Sequence, residues 1–359
     1  MEWIEKDRIR EGVINMFRVN MGVKEGERLL VVTDLPQQEA WQQRDSAQLS
    51  EILKRSVLAK MVSEIALESF PQCTVEFFPY PMVARSGTEP GEEVARRMGE
   101  ADVVIAITTH SLSHTDARVE ACQAGARIAS MPGFLAEMFY PDGPMAADYG
   151  RIAEETWPLA EMLSQAEKAT ARSRAGTDIS FSLAGRQGGA DTGLFHERGS
   201  FGNLPAGEAY IAPCEGTGNG QIVVEEGWFR VLEEKMVLHF QDGLVSGVKG
   251  GGEVGEMLRD LLGLGKEPMA LKGLQARRGE EYGARRNLAE LGVGTNPNAR
   301  STASLLEAEK IRGTVHIAIG DNAHIGGIVS ADLHWDFVIP HADLILDGET
   351  IMRDGELLI

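Results

Sequence analysis

Histidine is scarce in this chain, eight in all, yet four of the eight fall between His316 and His341. Within that stretch His334 and Asp336 stand two apart in the apolar run ADLHWDFVI. Side chains two apart on a strand point to one face, so the pair can converge on a single ion. A second run, GTVHIAIG, sets His316 on a face with Thr314 and Ala318, while Val315, Ile317 and Ile319 face the other way. Two imidazoles and a carboxylate from neighbouring strands suit zinc, manganese, cobalt or ferrous iron. Asp336 carries weight because a carboxylate in an apolar strand, between Trp335 and Phe337, is costly to bury unless a cation or hydrogen bonds meet it. A buried histidine alone needs only a hydrogen-bond partner, so His316 by itself says little. Two more carboxylates could enlarge the site: Glu208 in NLPAGEAYIAP and Glu290 in NLAELGVGTNP, although an exposed position is the commonest fate of glutamate. His324, in GDNAHIGG, offers an extra ligand or an acid–base group, since imidazole titrates near neutral pH.

The runs LAELGVGTNP, EAEKIRGTVHIAIG and LHWDFVIP, with ARIASMPGF and NLPAGEAYIAP upstream, resemble the aminopeptidase T family of thermophilic metalloaminopeptidases. The likeness runs in order over most of the chain and is sharpest in its C-terminal half. It implies two ions (zinc, cobalt or manganese) held by Glu208, Glu290, His316, His334 and Asp336, a homodimer with an enclosed cavity, and a metal-activated water that removes N-terminal residues from peptides. Glu215, in APCEGTGNG, is the candidate general base of such a hydrolase. The family's tyrosine has no match, because GDNAHIGG offers Ala323 and His324 at that place. A related branch of similar sequences includes iron-dependent ring-cleaving dioxygenases of dihydroxypyridines. In that alternative one Fe(II) sits on His316, His334 and Asp336, His324 handles protons, the substrate is a small aromatic, and Glu208 and Glu290 are left without a clear task. A third reading, a closed structural site of His316, His324, His334 and Asp336, suffers from the lack of any nearby cysteine ligand.

The elements that must position these residues divide the chain in two. The first half alternates apolar strands with helical stretches, the pattern of βαβ units around a parallel sheet. Strands are expected at Arg28–Thr33, Thr74–Phe78, Val103–Thr108 and Arg127–Met131, with helices near Leu49–Phe70, Glu92–Met98, Ser113–Cys122 and Met145–Lys168. Loops beyond the carboxyl ends of such strands gather binding residues, which makes His110 and His114 candidates for lining a cleft. Neither a dinucleotide glycine fingerprint nor a phosphate-loop lysine pattern is present. Glycine and polar residues collect between Ala184 and Gly207, so the fold expected is α/β with an open, mostly parallel sheet over 1–190 and an α+β metal-binding domain with antiparallel strands over 191–359. In the second domain, strands are expected at Glu208–Ala212, Gln221–Val224, Trp228–Leu232 and Met236–Gln241. Helices follow at Glu253–Leu262 and Glu280–Leu291, and Asp347-Gly348 and Asp354-Gly355 signal hairpins.

The 359 residues are enough for two cores, and 54 acidic against 35 basic residues give a formal charge of -19. Such a surface repels phosphate backbones and anionic membranes, so no nucleic-acid or membrane partner is expected, whereas it draws cations. Three widely spaced cysteines fit a reducing cytoplasm rather than a disulfide framework. The charged amphipathic start, MEWIEKDRIREGVINMF, does not read as a signal peptide.

Overall fold

The computed structural model describes residues 4–113, 115–229, 232–264, 280–302 and 304–359. In chain order the strands are β1 Arg28–Leu35, β2 Thr74–Pro81, β3 Val103–Thr108, β4 Arg127–Pro132, β5 Lys168–Ser173, β6 Asp178–Ser182, β7 Gly189–Asp191, β8 Phe201–Asn203, β9 Glu208–Ile211, β10 Asn219–Val224, β11 Met236–Gln241, β12 Leu244–Gly250, β13 Leu288–Gly294, β14 Val315–Gly320, β15 His334–Ile339, β16 Ala342–Leu346, β17 Glu349–Arg353 and β18 Glu356–Leu357. The helices are α1 Lys6–Asn15, α2 Gln38–Gln43, α3 Ser46–Ser69, α4 Glu92–Glu100, α5 Asp116–Ala124, α6 Tyr149–Gln165, α7 Gly252–Leu261, α8 Glu280–Arg286 and α9 Leu305–Ala308.

Two compact units emerge, Met1–Arg151 with Thr192–Ala206, and Ile152–Asp191 with Gly207–Ile359. The first holds a five-stranded, wholly parallel sheet in the order β2-β1-β3-β4-β8. Its central strand β3 reads VVIAIT and is buried along its whole length, as a strand covered on both faces must be. Leu30, Val32 and Val104 pack against Val94 and Met98 of α4 and Ala121 of α5. The alternate residues Leu29 and Val31 face the opposite side, where α3 crosses the sheet. Helix α3 starts at a capping box, with Asp45 accepting from the Gln48 backbone and Gln48 returning the bond.

The second unit is built on two antiparallel sheets, one of eight strands (β12-β11-β10-β6-β5-β16-β17-β18) and one of five (β15-β14-β13-β9-β7). A single apolar core joins them. Ala171, Phe181, Ile222, Leu238 and Leu344 come from the larger sheet, and Ile211, Leu291, Val293, Ile317 and Phe337 from the smaller.

The α/β class stands, and three local expectations need correction. The chain does not divide once at 190/191: α6, β5, β6 and β7 belong to the second unit, and 192–206 returns to the first to supply β8. Helix α8 ends at Arg286, and Glu290 lies on a strand, β13, rather than at a helix end. All seven residues of LAELGVG are buried, and this central strand gains hydrogen-bonded neighbours on both sides, which outweighs the helical look of its first residues. The expected strand Trp228–Leu232 is a turn in its described residues, with Trp228 N–H bonding to Glu225 and Leu232 N–H to Phe229. The candidate His114 lies outside the described residues. No described helix is long and apolar enough to cross a membrane.

Candidate metal centre

Apart from a bulge at the start of β13, strands β13, β14 and β15 alternate, and the alternation splits core from chemistry. Leu291, Val293, Val315, Ile317, Ile319, Phe337 and Ile339 enter the core. On the other face the register sets Glu290 beside Ala318, Ala318 beside Asp336, His316 beside Gly292, and His334 beside Gly320. Each ligand candidate therefore has a glycine or alanine next to it, which leaves room for ring or carboxylate. A Cβ at Gly292 would run into the His316 ring. A bulge between Leu288 and Glu290 turns Leu288 to the core while keeping Glu290 on the polar face.

The side chains converge. His316 Nε2 lies 3.4 Å from Glu290 Oε1, and His334 Nε2 lies 3.2 Å from Glu290 Oε2 and 3.4 Å from Asp336 Oδ1. Ligand atoms about 2.1 Å from a common divalent ion stand roughly 3.0 to 3.4 Å apart in octahedral to tetrahedral shells, so this spacing fits a shared cation. Among the described residues two ion-holding groups share Glu290: one with His316 and Asp336, one with His324 and His334, each with ligand atoms within 4.8 Å of one another. His334 Nδ1 donates to the Asp321 carbonyl at 2.7 Å, which leaves Nε2 as the lone-pair nitrogen aimed inward. The buried His316 Nδ1 has no hydrogen-bond partner among the described residues.

Without a metal, protons answer the same field. Burial pulls the His316 imidazole down, but the hydrogen bond to Glu290 and the charges of Glu208, Asp336 and Glu290 raise it to about 9. Burial opposes the proton on His334 as well, and Asp336 and Glu290 outweigh it to raise that group well above its usual range. The two carboxylates move the other way. Burial would raise them, yet the imidazoles hold Glu290 and Asp336 low. With the two imidazoles neutral, the buried carboxylates Glu290 and Asp336 call for a cation.

Of the remaining candidates, Glu208 is buried on the same face but is engaged with Lys310, its Oε1 2.5 Å from the ammonium. Its Oε2 stands 3.4 Å from His316 Nε2. Lys310 is itself buried and also meets Glu309 at 3.0 Å and Asp191 at 3.9 Å. Burial, together with Asp336 and Glu208, pushes Glu309 up to about 8 against the pull of Lys310. His324 packs edge-on against His334, with ring centroids 5.1 Å apart, and its Nδ1 meets Asp321 Oδ2 at 2.6 Å. Asp321 thus serves both histidines, by its carbonyl and by its carboxylate. Glu215 accepts from Arg186, from Asn322 Nδ2 at 3.0 Å and from the Ile328 backbone at 2.9 Å. Burial would raise its carboxyl, but these donors hold it low, so it anchors the loop that carries His324.

Four residues of this site were not legible as such: Lys310, Asp191, Asp321 and Tyr210. Tyr210 lies on the ligand face, in register with Gly292 on one side and Gly189 on the other, where its ring covers the glycine. Burial, with the acids Asp191, Glu290 and Glu208, pushes its hydroxyl up to about 12. The weak signal for it was position, since Tyr210 follows Glu208 by two in a strand and must share its face.

The family model for NicX, 2,5-dihydroxypyridine 5,6-dioxygenase, matches residues 14–359. A 2,5-dihydroxypyridine 5,6-dioxygenase of Pseudomonas putida is 26% identical over 281 residues, 73% of each chain. The solved structure of 2,5-dihydroxypyridine dioxygenase from P. putida KT2440 matches with a TM-score of 0.69 at 17% identity, covering 99% of this chain and 98% of its own. Wild-type AmpT from Thermus thermophilus matches with a TM-score of 0.63 at 14% identity, over 99% and 100%. At such identities the two structures speak for the fold alone. The family match and the curated relative overturn the expectation of an aminopeptidase-like metalloprotease acting on peptides, and with that hydrolase goes the general-base role expected of Glu215.

Proposed function

The chain belongs to the 2,5-dihydroxypyridine 5,6-dioxygenase (NicX) family, and from that premise we propose that it opens the ring of a hydroxylated pyridine with dioxygen, using one ferrous ion. The observation that carries the reading is the convergence of His316, His334 and Asp336 on one sheet face with Glu290 between the imidazoles. Two histidines and a carboxylate with positions left open are the usual ligand set of non-haem iron oxygenases. In that site His316, His334 and Asp336 would hold the iron and Glu290 would complete or flank the set; the ion would supply the place where dioxygen and the substrate's hydroxyl oxygen are activated together.

The chain's own residues have separate tasks. The Asp321 carbonyl fixes the tautomer of His334, and the Asp321 carboxylate orients His324. His324, partly exposed beside the ligands, can take the proton of a ring hydroxyl at Nε2 and return it. Tyr210, kept neutral by its raised pKa, can donate to a ring heteroatom or oxygen. Lys310 neutralises part of the surplus of acid, which leaves Glu208 a positioning group beside His316. Ring opening of this class breaks one ring bond and leaves both oxygen atoms in the product, so no external reductant is consumed.

The test is anaerobic loading with Fe(II) followed by oxygen-uptake measurement on 2,5-dihydroxypyridine. Uptake of one oxygen per ring lost, with one iron per chain, is expected. A fully loaded protein that leaves this compound and its isomeric dihydroxypyridines untouched would sink the reading.

A further inference from the structure

The first unit contains a small cleft of its own, of about 90 Å³, between α3 and the segment that follows β4. That is smaller than the usual site for a drug-sized molecule, so it admits only a small ligand. Arg55 of α3 lines it and is only 9% exposed. A buried guanidinium ordinarily has a carboxylate against it. Arg55 has none within ion-pair distance among the described residues: one nitrogen donates to Thr109 Oγ1 at 3.1 Å, and Nε is buried with no partner. Asp34 and Glu51 act on it only through space, and Asp34 is engaged with the Thr109 backbone N–H at 2.7 Å. Burial pulls this guanidinium below its ordinary range, and the charges of Asp34 and Glu51 offset only part of that.

The rest of the cleft describes what would pair with it. Leu58 and Phe134 form a buried apolar floor and Leu135 a half-buried wall. At the rim Glu51 is tied to Lys54 at 2.8 Å, while Glu137 is exposed. One uncompensated guanidinium favours a single negative charge, Glu137 disfavours a second, and the apolar floor disfavours a fully hydrated inorganic ion. We propose that this cleft binds a small organic monocarboxylate, its anionic end on Arg55 and its apolar body against Leu58, Phe134 and Leu135.

Benzoate is a suitable probe, measured by calorimetry and thermal shift on the full-length, metal-loaded protein. Saturable binding with a rise in Tm is expected for the wild type. In Arg55→Leu the affinity should fall at least about tenfold, the loss expected on removing one charge-assisted contact. Leu135→Trp fills the wall without touching Arg55 and should weaken binding to a similar degree, so the test survives a poorly folded Arg55 variant. Benzoate bound elsewhere, the metal included, would be held equally by both variants, and that result overturns the proposal. Absence of binding to the wild type overturns it too, as does inorganic phosphate matching benzoate in the thermal shift.

Discussion

The proposed ligand set can be argued atom by atom from what each nitrogen and oxygen already holds. His334 has one nitrogen committed to a backbone carbonyl and the other aimed at two carboxylates, so removing it takes away a pre-oriented ligand. His334→Ala should reduce bound iron to background, as read by elemental mass spectrometry, with the far-ultraviolet circular dichroism unchanged; full metal content in this variant would refute the assignment. Asp321→Ala separates the two services of that residue. Its carbonyl remains, so iron should stay, while kcat falls about 10- to 100-fold because His324 loses its orienting carboxylate. The protonation of His316 sets a sign for the metal-free protein. Its pKa is raised from 6.5 to about 9 on folding, so its stabilisation is complete below about 6.5 and lost as pH rises through about 9. Thermal melts of chelator-treated protein should therefore show Tm falling over that window, and iron, which replaces the proton, should flatten the fall.

Among the elements, β13 does the most for the site. It brings Glu290 into the midst of the histidines, and its Gly292 lets the His316 imidazole lie against the sheet. Gly292→Ala leaves every ligand in place yet pushes a methyl group into that ring. The expected result is a cost of about 1 to 3 kcal/mol in stability, from denaturant melts, and a clear loss of iron affinity from competition with a chelator. The same change at Gly26, where an added Cβ meets nothing, should leave iron affinity intact, though its φ of 84° makes it a strained position. The opposite face tolerates no truncation either. Ile317→Ala removes a fully buried side chain from the core that joins the two sheets and should cost about 2 to 5 kcal/mol.

At the scale of the whole molecule, the second unit is discontinuous in sequence. Strands β5 and β6, from before residue 191, sit in the middle of the eight-stranded sheet, with β10 paired to β6 and β16 to β5. A fragment 191–359 lacks both and would expose the edges of two half-sheets along with the core partners of Ala171 and Phe181. Such a fragment should give no cooperative melt and bind no iron, although it contains every metal-ligand candidate. A sharp, metal-dependent transition in that fragment would show that the division of units is misplaced.

What the sequence by itself determined is what depends on neighbours along the chain. Strand alternation has a period of two, so His334 and Asp336 had to share a face, and the apolar runs at Val103 and Arg127 had to be buried strands. The class of the fold could be read from such local periods, and so could the strand face that carries the candidate metal ligands. Only the tertiary structure decided the rest. Glu290 became a strand residue because two neighbouring strands claimed its backbone, and Glu208 faced a lysine from the distant segment before β14 instead of standing free. Asp321 could serve two histidines only once the loop had been pinned by Glu215. Pairings between segments far apart in sequence leave no local periodicity, because their energy comes from burial and charge compensation that arise only when the sheet is assembled.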